Sequence, residues 1–231
     1  MPVAFPLIAG LLLWAQVSGA PAQSDLYQVV FIRPDPARKT LSKEDGERLQ
    51  AAHMANIHKM ADNGILMAAG PFDDEPITIS GIFVMKAGSV EQAQKIAEQD
   101  PTVLAHRNTV DTHAWRGPAG IGVEYFRLHK EHPETPDSMQ ARPLCLIYRN
   151  AGWNEKSKAA HESFLNQLRN ERKLGAAGGI EGRDALIGMV IFQVMPVKEA
   201  EKLLAEDPAV KSGAVRAEFH QWWSADHVLP W

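Results

Sequence analysis

An intramolecular disulfide bond is excluded from this 231-residue sequence, because it contains a single cysteine. A chain of this size without a crosslink must be stabilised by its hydrophobic core. Cys145 lies in the apolar segment 144–148, which favours a small buried side chain over a reactive nucleophile.

A strong charge of either sign is also missing. The formal net charge is -4 at pH 7, and the chain contains no basic run, so nucleic-acid binding is not predicted. The Ser-His-Asp elbow, the phosphate-binding loop and the dinucleotide fingerprint are likewise absent from the sequence.

Compact metal-ligand spacing is absent as well. His53 and His58 are five residues apart, which places them on different faces of a helix. We therefore predict no metal and no cofactor. The alternatives are a zinc site, or a haem held by His53, His113 or their counterparts in the second half of the chain.

Long hydrophobic runs are limited to the N-terminus. Residues 3–17 are apolar apart from Gln16, and Ala20-Pro21-Ala22 has the small residues of a signal-peptidase site. The run is shorter than the roughly 20 residues that span a bilayer. We predict a signal peptide at residues 1–22, a secreted or periplasmic mature protein, and no membrane association after cleavage.

The sequence repeats itself at an offset of 107 to 108 residues, although most positions between the shared motifs differ. The first copy reads Ala51-Ala52-His53, Leu66-x-Ala68-Ala69-Gly70, Asp100-Pro101-x-Val103 and Asp111-x-His113-x-Trp115. The second copy reads Ala159-Ala160-His161, Leu174-x-Ala176-Ala177-Gly178, Asp207-Pro208-x-Val210 and Glu218-x-His220-x-Trp222. A repeat of this length is the size of a small domain, so we predict two domains in one chain.

Each half shows the same order of predicted elements: a strand, a helix, two strands joined by a hairpin, a helix and a strand. In the first half, Ser42 begins one helix, Asn63-Gly64 ends it, and Ser89 begins the next. The predicted regions are domains at 26–116 and 143–224, a linker at 117–142 with a short helix at 122–131, and a C-terminal tail at 225–231.

This order of elements is the ferredoxin-like βαββαβ arrangement, an α+β fold. Its antiparallel sheet carries helices on one face only, so the other face must be buried by a partner. Two copies in one chain supply that partner. We therefore predict an intramolecular pseudo-dimer whose two sheets pack face to face and enclose a cavity.

The motifs resemble those of the YCII-related family. The resemblance rests on Ala51-Ala52-His53, on Leu66-x-Ala68-Ala69-Gly70-Pro71-Phe72, on Ser89-x-Glu91-x-Ala93, on Asp100-Pro101 and on Trp115, and it extends to both halves. It implies two YCII-type domains packed as a dimeric α+β barrel. It also implies a His-Asp active site, and some relatives act on small ring compounds by elimination or isomerisation.

The candidate catalytic residues are His53 with Asp100, and His161 with Asp207 in the second half. A carboxylate that accepts from one imidazole nitrogen fixes the tautomer and raises the basicity of the other nitrogen, which then acts as a general base. The structural alternative is that Asp before Pro holds a turn and that the histidine makes a fold-maintaining bond.

The candidate substrate-binding residues come from the last strand of each half. Side chains alternate along a strand, so Asp111, His113 and Trp115 share one face, as do Glu218, His220 and Trp222. We expect both triplets to face the barrel interior and to hold a small planar molecule, with tryptophan as a stacking wall. The alternative is that they form the interface between the halves.

Two arginines complete the candidate site. Arg33 and Arg149 end the first strand of each half, where a guanidinium could bind a carboxylate or phenolate. A solvated strand terminus is the alternative interpretation.

Together these features predict a cofactor-independent isomerase or lyase that uses His-Asp acid-base chemistry on a small cyclic or carbonyl-bearing substrate. The alternative is an exported barrel that binds a small ligand without turnover, or a scaffold. The hairpin loops of the two halves differ in charge, so we expect unequal sites, with the first half the more active.

Overall fold

The computed structural model describes residues 23–182 and 184–230. The predicted signal peptide at 1–22 lies outside these residues. In the part of the chain that is described, no helix combines the length and the apolar character needed to cross a bilayer.

The first half contains the predicted elements and one additional short helix. They are β1 (Ser24–Pro34), α1 (Lys43–Asp62), β2 (Leu66–Pro71), β3 (Gly81–Met85), α2 (Val90–Ala97), α3 (Pro101–Leu104) and β4 (Asn108–Pro118). The Ser42 hydroxyl accepts from the backbone N–H of Asp45 and caps α1, and Ser89 caps α2 in the same way. Sequence reasoning found these boundaries but missed α3.

The second half repeats the order after an intervening helix, α4 (Val123–Glu131). Its elements are β5 (Met139–Arg149), α5 (Glu155–Asn170), β6 (Leu174–Glu181), β7 (Leu186–Phe192), α6 (Val197–Leu204), α7 (Pro208–Lys211) and β8 (Val215–Ala225). The short helix predicted at 122–131 is therefore present. The C-terminal tail is not free, because Val228 is buried and its carbonyl accepts from Gly122 N–H.

All eight strands form one antiparallel sheet in the order β2-β3-β1-β4-β6-β7-β5-β8. The two halves join at β4 and β6, where Trp115 pairs with Ile180. At the other edge a single bridge joins Phe72 to Trp222 and closes the sheet into a barrel. The predicted α+β architecture, with two ferredoxin-like halves in an intramolecular pseudo-dimer, is confirmed.

Alternation along the strands separates an interior from a helix-covered exterior. Tyr27, Val29 and Phe31 of β1 pack in the barrel interior against residues from both halves. Val30 and Ile32, the alternate residues, pack under the helices of the first half. The interior is the shared core of the two domains, so the burial that stabilises one half depends on the other.

Candidate functional site

The first His-Asp pair is formed as the sequence predicts. Nδ1 of His53, on α1, lies 2.9 Å from both carboxylate oxygens of Asp100, which immediately precedes α3. Asn56 donates to the same carboxylate at 2.9 Å, and Thr102 donates through both its backbone N–H and its hydroxyl. Four donor groups therefore hold a carboxylate that is almost completely buried.

These donors determine the charge of Asp100. Burial opposes ionisation, but the hydrogen bonds from His53, Thr102 and Asn56 outweigh it and hold the pKa of the Asp100 carboxyl below its usual range. An ionised carboxylate at Nδ1 fixes the tautomer and the orientation of the ring. Within the described ranges, Nε2 of His53 meets no hydrogen-bond partner.

His53 lines a cavity of about 400 Å³ at the open edge of β2. Among the described residues, the outer edge of β2 meets another strand only near its end, where Phe72 bridges to Trp222 of β8 and the Gly70 carbonyl accepts from the Trp222 indole. Apolar side chains of α1 and β2 form one side of the cavity, among them Ile57 and Leu66. The opposite side of the cavity, beyond the outer edge of β2, is formed by α4, the start of β5 and the end of β8.

The second pair is formed too, but it is more enclosed. Nδ1 of His161 lies 2.5 Å from Oδ2 of Asp207, whose other oxygen accepts from Ala209 N–H. The indole of Trp153 contacts the His161 ring edge-on at 5.9 Å. The His161 side chain is 9% exposed, whereas that of His53 is 15% exposed.

Sequence differences explain why the two pairs are unequal. At the 108-residue offset, Trp153 corresponds to Asp45, an exposed residue of α1. At the same offset Asn56 corresponds to Phe164, so Asp207 lacks the amide donor that Asp100 has. The first histidine is consequently the more accessible, and its partner carboxylate the more fully hydrogen-bonded.

The two strand triplets face the barrel interior, as predicted. The interior around them is packed, however, and does not form the cavity that was expected between the sheets. Trp115 and Trp222 are 0% exposed and belong to the packed interior. Their indole N–H groups donate across the two junctions, Trp115 to the carbonyl of Gly178 and Trp222 to that of Gly70. None of the six triplet residues lines the cavity at His53. This arrangement favours the interface interpretation over a substrate wall.

The histidines of the triplets are also engaged in the interface. His220 stacks on Phe72 at 4.8 Å, and its Nδ1 lies 2.6 Å from Oδ2 of Asp74, both from the first half. Nε2 of His220 lies 3.2 Å from Oε1 of Glu218. Burial opposes ionisation of Glu218, but Arg216 and His220 hold the pKa of its carboxyl below the usual range.

His113 is the counterpart of His220 and makes looser contacts. Its ring meets that of Phe31 edge-on at 5.7 Å. Nε2 lies 3.1 Å from Oδ1 of Asp111, but out of line for a hydrogen bond. Asp111 has its pKa lowered, chiefly by His113. Phe31 and Phe72 thus pack against the His113 and His220 rings respectively.

The two arginines lie away from the cavity. Arg33 Nη2 is 3.7 Å from Oδ2 of Asp111, and its guanidinium lies over the Phe31 ring. Arg149 ends β5 with an exposed side chain. Neither lines the cavity beside His53, so their substrate-binding role stays a prediction.

Sequence reasoning missed several residues of the site. Asn56 lies three residues after His53, on the same helix face, and that spacing was the available signal. Tyr125 and Asp137 line the far end of the cavity but lie in the region predicted as a linker, where no motif marks them. In residues 23–182 and 184–230, no group of three or more His, Cys, Asp or Glu side chains is arranged to hold a metal.

Comparison with known proteins finds the same repeat. The YCII-related domain family matches residues 27–111 and again residues 128–219. An uncharacterized protein of Bacillus subtilis, YjpA, is 29% identical over 79 residues, which is 34% of this chain and 91% of that protein. The single-domain length of that relative agrees with a duplication in this chain.

Among solved structures, the similarity is to chlorite dismutase from Candidatus Nitrospira defluvii. A mutant of that enzyme covers 89% of this chain and 93% of its own, with a TM-score of 0.57 and 13% identity. The same enzyme in complex with imidazole gives a TM-score of 0.55 over the same shares, also at 13% identity. Identity this low establishes a shared barrel fold and carries no statement about chemistry.

Proposed function

The chain belongs to the YCII-related domain family through both of its halves, and on this premise we propose that it is a small-molecule enzyme with His53 as its general acid-base. One observation carries the proposal. His53 lines an apolar cavity, its Nδ1 is held by an ionised Asp100, and its Nε2 has no partner among the described residues.

The proposed chemistry needs only proton transfer. Nε2 of His53 removes a proton from the substrate, and the anionic Asp100 stabilises the imidazolium that forms. Return of that proton to a different atom completes an isomerisation. Loss of a leaving group from the neighbouring atom completes an elimination. A small cyclic or carbonyl-bearing substrate suits this scheme, because its α-protons are acidic enough for an imidazole base.

The test is a pH-rate profile of the purified protein against a panel of lactones and halogenated phenols. We expect His53→Ala to lower kcat/KM by about 100-fold or more, the usual contribution of a general acid-base. His161→Ala should have a smaller effect, because Trp153 encloses that ring. His132→Ala is the matched control, since His132 is exposed and lies outside this cavity. Unchanged activity in His53→Ala would refute the assignment.

A specific observation favours a second candidate, a barrel that binds a ligand without turnover. Asp100 and Asp207 each accept from the backbone N–H two residues later, at 2.9 and 2.8 Å, and so cap α3 and α7. This structural role accounts for both carboxylates without catalysis. Ligand-induced thermal stabilisation together with the absence of any product by mass spectrometry would support it.

We also propose that the protein is exported, on the sequence of residues 1–22. The expected mature N-terminus is Gln23. Mass spectrometry of the protein recovered from a periplasmic or culture fraction tests this, and an intact Met1 in that fraction would contradict it.

A further inference from the structure

We propose that the far end of the cavity at His53 is a polar subsite that binds a hydrogen-bond donor of the ligand, an amine or a hydroxyl, through Oδ2 of Asp137. The inference deepens the proposed function and rests on the same cavity. It specifies the ligand class as a small molecule with an apolar body and a terminal amino or hydroxyl group.

The subsite is built by the segment between the two domains. Tyr125, on α4, and Asp137, just before β5, both line the cavity, and the Tyr125 hydroxyl donates to Oδ1 of Asp137 at 2.9 Å. His129, one turn after Tyr125, lies with Nε2 2.8 Å from the same oxygen. The aromatic rings of Tyr125 and His129 are 4.0 Å apart. These contacts fix the carboxylate in one orientation.

The pattern of contacts leaves one atom available. Both contacts go to Oδ1, and Oδ2 has no partner in the described part of the chain. The side chain of Asp137 is 41% exposed. Burial, together with the Asp137 carboxylate, raises the pKa of Tyr125, so the phenol keeps its proton and remains a donor to Oδ1. The subsite therefore presents an acceptor and selects for a donor.

The rest of the cavity agrees with this preference. Its walls are mainly apolar, and none of the described residues that line it is Lys or Arg. An anionic ligand would lose its hydration there and meet the Asp137 carboxylate, and among the described lining residues only the imidazoles of His53 and His58 could carry a compensating positive charge. His53 at the other end supplies a second polar contact, so the cavity suits a ligand with polar groups at both ends of an apolar body.

The competing possibility is an anionic ligand held by a neighbouring hollow. That hollow contains Arg38, Lys39 and Arg107. It shares Gln50, Thr102 and Asn108 with the cavity. Arg107, however, already donates to the carbonyl of Lys39. A comparison of an amine with a carboxylate separates the two possibilities, because a ligand site in this basic hollow would bind the carboxylate more tightly.

The test uses three probes of equal size, benzylamine, benzyl alcohol and benzoate, in ¹H–¹⁵N NMR titrations of the full mature chain. We expect benzylamine to bind roughly tenfold more tightly than benzoate, since a hydrogen bond to a half-exposed charged group contributes on the order of 1.4 kcal/mol. Benzyl alcohol should fall between them. Amide shifts should include those of Tyr125 and Asp137.

Variants assign the preference to the proposed atom. Asp137→Asn should bring the benzylamine-to-benzoate affinity ratio close to one. Tyr125→Phe keeps the carboxylate and should retain the preference for the amine. Glu134→Gln, in the same segment and 75% exposed, is the matched control and should leave the ratio unchanged.

Three results would overturn the inference: benzoate binding as tightly as benzylamine, a ratio unaffected by Asp137→Asn, or no cavity shifts with any probe. The outcome is separable from that of the proposed function. His53→Ala tests turnover without altering Asp137. If this variant kept both the preference for benzylamine over benzoate and unchanged turnover, the acid-base role of His53 would be refuted and the subsite at Asp137 would stand.

Discussion

The indole nitrogen of Trp222 donates a hydrogen bond of 3.3 Å to the carbonyl oxygen of Gly70 in the other half of the chain. Trp115 makes the reciprocal bond to Gly178 at 3.1 Å. The two bonds are related by the internal repeat and lie at the two junctions of the barrel. They give a structural reason for the tryptophan that ends acid-x-His-x-Trp in both halves.

Removal of either indole donor should destabilise the whole barrel. Trp115→Phe and Trp222→Phe each leave a carbonyl at a buried junction without its donor and reduce the packed volume, so we expect a loss of about 2 kcal/mol in the free energy of unfolding. Trp223→Phe is the control, because Trp223 is the adjacent, half-buried residue of β8. Equal losses at all three positions in urea denaturation would show that the bonds have no special role.

The two glycine acceptors should tolerate no side chain. A Cβ on Gly70 would lie 1.7 Å from the carbonyl oxygen of Trp223, and one on Gly178 would lie 1.9 Å from that of Arg116. We expect Gly70→Ala and Gly178→Ala each to cost about 3 kcal/mol or more, since the backbone at the junction must move. Gly46→Ala, in α1 with no atom within 4 Å of a new Cβ, should instead stabilise by about 0.5–1 kcal/mol. Thermal denaturation measures all three.

The Asp100 carboxylate should make stability depend on pH. Its pKa is lowered in the folded protein, so its contribution is present above the unfolded value of about 3.9 and is lost as the pH falls through the folded pKa. Asp100→Asn should lower the free energy of unfolding at pH 7 by about 2 kcal/mol and flatten its decline as the pH falls below about 4. Asp62→Asn, at an exposed position, should leave the curve unchanged.

His220 and Asp74 should couple the two halves energetically. A double-mutant cycle with His220→Ala and Asp74→Ala should give an interaction energy of about 1–2 kcal/mol, because the pair is partly buried and its Nδ1–Oδ2 distance is 2.6 Å. The exposed pair His132 and Glu134, 3.9 Å apart, should give a value near zero. Similar coupling in the two cycles would contradict a specific role for His220 at the junction.

Cys145 should be chemically silent in the native protein. Its side chain is 0% exposed, and burial raises the pKa of its thiol, so the reactive thiolate is not formed at neutral pH. Ellman's reagent should react fully in urea and negligibly in buffer. Rapid reaction of the folded protein would indicate an open core.

The fold could be predicted because its determinants are local. Ser42 and Ser89 mark helix starts, and the repeated motifs identify equivalent strands. The His53–Asp100 contact could also be predicted, because the same pair recurs at His161 and Asp207. The position of the cavity could not. It depends on how far β2 extends past β8, a register between distant strands that no short motif specifies.

The strand triplets show what the alternation of side chains along a strand predicts and what it does not. Alternation correctly placed Trp115 and Trp222 on the interior face, but it cannot distinguish a cavity wall from a packed interface. That distinction depends on whether the two halves together fill the volume between them. Here the two indoles, with Tyr27, Phe31 and Leu144, fill it.

A barrel assembled from two identical subunits has two identical openings, because a single coding sequence specifies both. Covalent fusion removes that requirement. In this chain Trp153 encloses one histidine, while the corresponding position, Asp45, leaves the other accessible. The two openings of this barrel can therefore diverge independently, an asymmetry that a pair of identical subunits could not encode.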